Sequence, residues 1–264
     1  MKRRRTQAAD RGKLRPDDLS TLLVLAASPV MSSRRIGTRS LSTLPLLLAL
    51  GVVVGPPALP EGNGHRLTAD EGDTRPLFDG KSFDGWEGDT KTTWRIENGE
   101  FVAGSLEKRQ PRNEFLSTTR SFRDFELRLK WKVEGERGQV NGGIQFRSRR
   151  IPMHHEMIGY QADLGADHDG ALYDESRRNK FLARPSAEVA REAMKPTGEW
   201  NDYVIRAEGQ RVQIWLNGIK TVDYVESDPD VDQNGMIAVQ IHSGGPLVVH
   251  YKEIVLRELG NPSE

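Results

Sequence analysis

From Asp124 to Val133 the chain alternates apolar and polar side chains: Phe125, Leu127, Leu129, Trp131 and Val133 set against Glu126, Arg128, Lys130 and Lys132. That two-residue period is the pattern of a strand with one face buried. Tyr203 to Glu208 and Arg211 to Leu216, parted by Gly209-Gln210, predict a hairpin. Asn217-Gly218 then leads into Ile219 to Tyr224, and Asn98-Gly99 joins Trp94–Ile96 to Glu100–Val102. Asn-Gly suits tight hairpins because both turn positions require positive φ. Met236–Ile241 and Leu247–Leu256, around Ser243-Gly244-Gly245-Pro246, predict one more pair. Many short strands and few helical stretches predict an all-β fold, an antiparallel sandwich. The one helix candidate, Ser186 to Met194, lies between Pro185 and Pro196 with Ser186 as N-cap. It sits in a long insertion, roughly 165–199, which reads as a strand-free lid or binding loop.

Applied to three strands, the same period separates a core face from a polar one. Ile144 and Phe146 go inward, leaving Gln145 and Arg147 outward; Tyr160, Ala162 and Leu164 leave Gln161 and Asp163; Val239 and Ile241 leave Gln240 and His242. If these strands are neighbours, the six polar residues form a floor. Tyr173, Glu175, Arg177 and Arg178 would hang over it from the insertion. Five acids, two tyrosines, a glutamine and an arginine pair within 159–178 suit sugar recognition, where hydroxyls need polar partners and pyranose rings need aromatic faces. Trp86, Trp94 and Trp131 read as core, Trp200 as a candidate sugar contact, and His154-His155-Glu156 as an exposed loop.

Composition narrows the classes. The 264 residues carry 38 Lys+Arg and 38 Asp+Glu, so no nucleic-acid surface is implied. The absence of cysteine excludes disulfides, thiolate nucleophiles and zinc–thiolate sites. Arg34, Arg35 and Arg39 precede an apolar run from Leu41 to Val54 and then Gly55-Pro56-Pro57. A basic segment before a short apolar one reads as an export signal. Met31 is the expected true start, residues 1–60 an extension plus signal, and 61–74 a linker. Residues 75–260 form the mature domain, exported to the periplasm or beyond and without a stable membrane span.

The motifs Leu77-Phe78-Asp79-Gly80-Lys81-Ser82-Phe83-Asp84-Gly85-Trp86, Asn141-Gly142-Gly143-Ile144-Gln145-Phe146-Arg147, Gly159–Asp163, Trp200-Asn201, Leu216-Asn217-Gly218 and Gln240-Ile241-His242 occur in collinear order. In this they resemble the 3-keto-disaccharide hydrolase family, formerly domain of unknown function 1080. Two departures stand out: Gly142 where serine is common, and Gln161-Ala162-Asp163 where many members carry glutamate after Gly-Tyr. The resemblance implies a concanavalin-like jelly roll acting on a glycoside oxidised at carbon 3. The carbonyl acidifies the proton at carbon 2, its removal expels the substituent at carbon 1, and water adds back. On that chemistry Asp163 or His242 is the expected base. Arg147, or a divalent cation held by Asp163 and its neighbours, would stabilise the enolate, with Glu175 or Tyr173 assisting departure. Gln145, Tyr160, Gln161, Tyr173, Arg177, Arg178, Trp200 and Gln240 are the expected substrate contacts. A lectin-like binding module without turnover is the competing reading. A conventional retaining glycosidase is disfavoured, because no Glu-x-Asp-x-Glu or Glu-x-Asp-x-x-Glu string supplies its carboxylate pair.

Overall fold

The computed structural model describes residues 74–136, 138–165 and 168–260, which fall within one compact unit, His65–Glu264. The expected signal, the start at Met31 and nearly all of the linker lie outside the described residues. Among the described residues no helix is long and apolar enough to cross a membrane.

In chain order the elements are β1 (Arg75–Pro76), β2 (Trp86–Glu87), β3 (Trp94–Glu97), β4 (Glu100–Arg109) and β5 (Glu114–Phe122). Then come β6 (Phe125–Gly135), β7 (Asn141–Arg150), β8 (Met157–Gly165), β9 (Leu172–Glu175) and β10 (Lys180–Ala183). Helix α1 (Ala187–Ala193) precedes β11 (Asn201–Glu208), β12 (Arg211–Leu216), β13 (Ile219–Val225), β14 (Gly235–Ile241) and β15 (Pro246–Glu258). An eight-stranded sheet runs β13-β12-β11-β6-β15-β4-β3, with β1 paired to β15; a seven-stranded sheet runs β10-β9-β8-β7-β14-β5-β2. Pairing is antiparallel throughout, so the jelly-roll sandwich expected from the sequence is the fold.

The alternating residues do what their period requires. Phe125, Leu127, Leu129 and Trp131 of β6 meet Ile144 and Phe146 of β7, Tyr160 and Ala162 of β8, and Val239 and Ile241 of β14 in one core. Each fully buried side chain of this size contributes about 1.5–3 kcal/mol relative to exposure. Trp86, Trp94 and Trp131 are all core residues. Two tyrosines cross that core from the eight-stranded sheet. Tyr203 donates to the Asp163 carbonyl (2.8 Å) and Tyr251 to the Gln240 carbonyl (2.7 Å). The Asn-Gly turns form as predicted, with φ of 52° and 79° at Asn98 and Gly99 and of 50° and 83° at Asn217 and Gly218. Ser186 caps α1, its hydroxyl accepting from Val189 N at 3.2 Å.

Three expectations need correction. β14 and β15 are not a hairpin: Ser243–Gly245 carries the chain from one sheet to the other. The insertion is not strand-free, because β9 and β10 extend the seven-stranded sheet beyond β8. Arg147 does not face outward with Gln145. The β7–β8 register slips between Phe146 and Arg149, and Arg147 takes a φ of 47° in this bulge, which breaks the period. Its fully buried guanidinium closes one end of the sandwich. It pairs with Asp124 (2.9 Å), donates to the Arg123 and Gly209 carbonyls (2.7 and 2.8 Å) and reaches Gln233. Burial lowers its pKa to about 10, and Asp124 opposes the shift.

Arg147 is therefore a stability residue. Arg147→Met should destabilise the fold by about 3–5 kcal/mol, the usual cost of leaving one charge of a buried pair uncompensated. Denaturant unfolding measures it; a loss under 1 kcal/mol would contradict this placement.

Candidate active site

β8, β7 and β14 are adjacent, and the face they turn away from the core carries the polar residues the alternation picked out. Register puts Gln145 opposite Gln161, which in turn faces Tyr173, and Gly143 between Gln240 and Asp163. This second face is also buried: Gln145 and Gln240 are fully enclosed and Asp163 is 5% exposed. Buried polar groups must be partnered. A directed chain does this for most of them. Ser148 Oγ donates to Gln145 Oε1 (2.6 Å), Gln145 Nε2 to Gln161 Oε1 (2.8 Å), and Gln161 Nε2 to Asp163 Oδ1 (3.3 Å). Gly143 makes room for it, since a Cβ there would stand 2.6 Å from Gln161 Cδ. Leu164 N also donates to Asp163 Oδ1, at 3.1 Å.

Asp163 looks into an open cleft of about 650 Å³, shared with Gln161, Tyr173, Glu175, His242, Asn113, Asn141, His168 and Phe181. Burial pushes the Asp163 carboxyl up to about 7; the Gln161 and Leu164 hydrogen bonds only partly oppose it, and Asp169 and Glu175 add repulsion. Glu175 is raised too, by burial and then by Glu156. Tyr173 is raised by burial, Glu175 and Asp163, so it stays a hydroxyl donor. His242 Nδ1 lies 2.7 Å from the Ser243 carbonyl, which can only accept. Nδ1 therefore carries the proton, and Nε2 is left for other partners. Tyr173 packs edge-on to Phe181 (5.0 Å) and His168 lies 4.8 Å from the same ring, giving one wall an aromatic surface. Among the described residues no three His, Asp or Glu side chains group closely enough to hold a metal ion, so the arrangement gives the expected cation no built site.

Five expected residues thus converge: Asp163, Gln161, Tyr173, Glu175 and His242. Gln145 and Gln240 lie in the floor beneath them, and neither amide atom of Gln240 has a partner among the described residues. The others lie elsewhere. Tyr160 points into the core and donates to Glu226 (2.6 Å). On β9, Asp174 points opposite to Tyr173 and Glu175, and Arg177 and Arg178 fold back onto it. Arg178 also spans Glu226 (2.6 and 3.1 Å), and Arg177 lies over the Tyr160 ring (4.6 Å). These arginines complete a buried ion network instead of hanging over the cleft. Trp200 immediately precedes β11 and packs against the other sheet, with Lys252 3.8 Å from its ring centroid and His250 edge-on. Arg147 is remote, as described above.

The family profile described as the 3-keto-alpha-glucoside-1,2-lyase-like domain matches residues 73–257. The chain belongs to this family. A 3-keto-disaccharide hydrolase of Bacteroides thetaiotaomicron is 30% identical over 146 residues, 47% of this chain and 49% of the relative; the chain spans about half the length of that curated relative. In fold it is similar to a glycosyl-hydrolase candidate from Parabacteroides distasonis (TM-score 0.54, 20% identity, 71% of this chain and 94% of that one). It is also similar to carbohydrate-binding module CBM66 of Bacillus subtilis (TM-score 0.51, 18% identity, 66% and 96%).

In this 3-keto-α-glucoside-1,2-lyase-like domain, sequence reasoning missed Asn113, Asn141, Glu156, His168 and Phe181. Asn113 ties two cleft-side segments together, accepting from Ser243 N (2.8 Å) and donating to Glu156 (3.0 Å). Glu156 Oε2 and Asn141 Oδ1 are buried without partners among the described residues. Glu156 was legible only as an acid in a loop, since its approach to Glu175 arises from tertiary packing. Gly143→Ala should displace the Gln161 amide and remove a bond that favours the Asp163 carboxylate, so Asp163 should titrate above about 7. Carboxyl carbon-13 NMR across pH 5–9 tests this; an unmoved or lowered midpoint contradicts the relay.

Proposed function

We propose that the chain is an exported enzyme that cleaves 3-keto-glycosides by removing the proton at carbon 2 and expelling the group at carbon 1. The observation that carries this reading is one buried carboxyl, Asp163, poised near 7 in a cleft beside Tyr173, Glu175 and His242. A base works best when its pKa lies near the working pH. With the oxidised ring against Tyr173 and Phe181, the Asp163 carboxylate takes the carbon-2 proton, and the C–H electrons move onto the carbonyl at carbon 3. Tyr173 hydrogen-bonds the enolate oxygen, and Glu175, whose pKa burial raises, adds a second donor when it carries its proton. The enolate then collapses, the carbon 1–carbon 2 double bond forms, the bond from carbon 1 to the leaving oxygen breaks, and that oxygen takes a proton from the histidinium form of His242. Water next adds at carbon 1, its hydroxyl bonding there while its other proton restores the histidinium of His242, and the proton held by Asp163 returns to carbon 2. Gln161 holds Asp163 in place. The basic residues Arg34, Arg35 and Arg39 and the apolar segment after them support export.

Asp163→Asn should lower kcat for a 3-keto-disaccharide by about 10²–10⁴-fold, followed by mass spectrometry of the released sugar. In the wild type, the acid limb of the kcat–pH profile should rise through about 7, because the base must be ionised. Stability should move the other way. The folded pKa lies above the ordinary aspartate value of 3.8, so stability is fully present below about 4 and is lost as pH rises through about 7. The Asn variant should lose both dependences. Binding of oxidised and intact disaccharides with no product would instead support a sugar-binding module.

A further inference from the structure

The acid-lined cleft does not end at His242. Asn141, His168 and His242 also line a second open cleft of about 820 Å³, so the two share a wall. The second cleft is built differently. It lies between the β6–β7 connection at Gly138–Asn141 and the Ser243–Gly245 crossover, with Arg109 at its rim. It has no aromatic lining except the two shared histidines. Its walls are amides, backbone and a guanidinium. The crossover is held in place: Arg109 Nε donates to the Gly244 carbonyl (3.2 Å), and Gly244 N donates to the Gln110 carbonyl (3.0 Å). Gln139 packs where residue 245 has no side chain, since a Cβ there would meet Gln139 Oε1 at 2.2 Å. On the shared wall, Asn141 Oδ1 is a buried acceptor without a partner among the described residues.

We propose that the second cleft binds the leaving sugar, so that the scissile bond lies over the Asn141–His168–His242 wall and His242 protonates its oxygen. This rests on the enzymatic reading above and adds direction and leaving-group specificity to it. Tyr173 and Phe181 of the first cleft suit the face of the oxidised ring, as the Gln139 and Asn141 amides and the Arg109 guanidinium of the second suit a ring recognised through its hydroxyls. His168 and His242 both border the two clefts; His168 Nδ1 is engaged by Arg184 (2.8 Å), whereas His242 Nδ1 is tied to the Ser243 carbonyl of the crossover that frames the second cleft, and in its protonated form the His242 Nε2 donates. Glu175 and Tyr173 line the first cleft alone, which leaves them to the carbon-3 oxygen.

Two measurements on the full chain test this. In calorimetric titration, one or more of maltose, cellobiose and trehalose should bind at least about tenfold more tightly than glucose. Arg109→Ala and Gln139→Ala should each remove several-fold of that advantage, with melting temperatures confirming that both variants fold. In turnover, His242→Ala should slow a 3-keto-disaccharide by about 10²–10⁴-fold. It should slow 4-nitrophenyl 3-keto-glucoside by less than about tenfold, because nitrophenolate departs without a proton. Equal losses on both substrates, or disaccharide affinity untouched by both cleft variants, would overturn the subsite while leaving the enzymatic reading intact. Graded disaccharide binding without product from either substrate would overturn the enzymatic reading and the role of His242, and leave the second cleft standing as a sugar-binding surface.

Discussion

A sheet buried on both faces has to solve a problem that a half-exposed sheet does not. One face of the seven-stranded sheet packs on the apolar core, and the other carries Gln145, Gln161, Asp163 and Gln240 out of reach of bulk water. Low dielectric strengthens each hydrogen bond made there and makes each unmade one expensive. The Ser148–Gln145–Gln161–Asp163 chain meets that demand by orienting every donor toward the carboxyl. The chain favours the ionised acid and burial opposes it; burial wins, leaving Asp163 near neutrality. A fully solvated aspartate on the same strand would be a far weaker base, and one buried without these hydrogen bonds would hold its proton to still higher pH.

That balance depends on where the backbone lies, and the core sets the backbone. Tyr203 and Tyr251 reach through the sandwich and donate to the carbonyls of Asp163 and Gln240, two residues whose side chains form the cleft floor. Burying a tyrosine hydroxyl costs free energy unless it finds an acceptor. The requirement that stabilises each tyrosine therefore also pins one strand of the site from beneath. In this sense packing and chemistry share atoms, and the eight-stranded sheet contributes to the cleft without lining most of it.

How much of this was legible follows from how regular each strand is. The faces of Gln145, Gln161 and Asp163 could be read from alternation because their strands are regular there and the neighbours on each side are apolar. Arg147, two residues beyond Gln145, could not, because a bulge reverses the face and nothing in Phe-Arg-Ser marks it. Arg177 and Arg178 misled for a related reason. Asp174 lies between Tyr173 and Glu175, and only the discovery that this segment is a strand shows that its carboxylate points the other way and draws both arginines with it. Ser243–Pro246 has turn chemistry, but turn residues do not distinguish a hairpin from a crossing between sheets. Glu156 and Asn113 are more than 40 residues apart and meet only in the folded chain.

The departure at Gln161-Ala162-Asp163 becomes intelligible on the same terms. The family pattern that the sequence resembles has glutamate after Gly-Tyr, so against that pattern this chain has an amide at 161 and an acid two residues later. Positions i and i+2 share a face of a strand and lie about 6.6 Å apart along it. The acid at 163 therefore stays on the cleft side, where an acid one residue away would have entered the core. The amide left at 161 now donates to that acid and accepts from Gln145, a role a glutamate could fill only by keeping a proton. Two like charges at this spacing on a buried face would have repelled each other. With glutamine at 161 and aspartate at 163 the face keeps a single carboxyl on this strand, and that carboxyl receives all the polarisation the hydrogen-bond chain can supply.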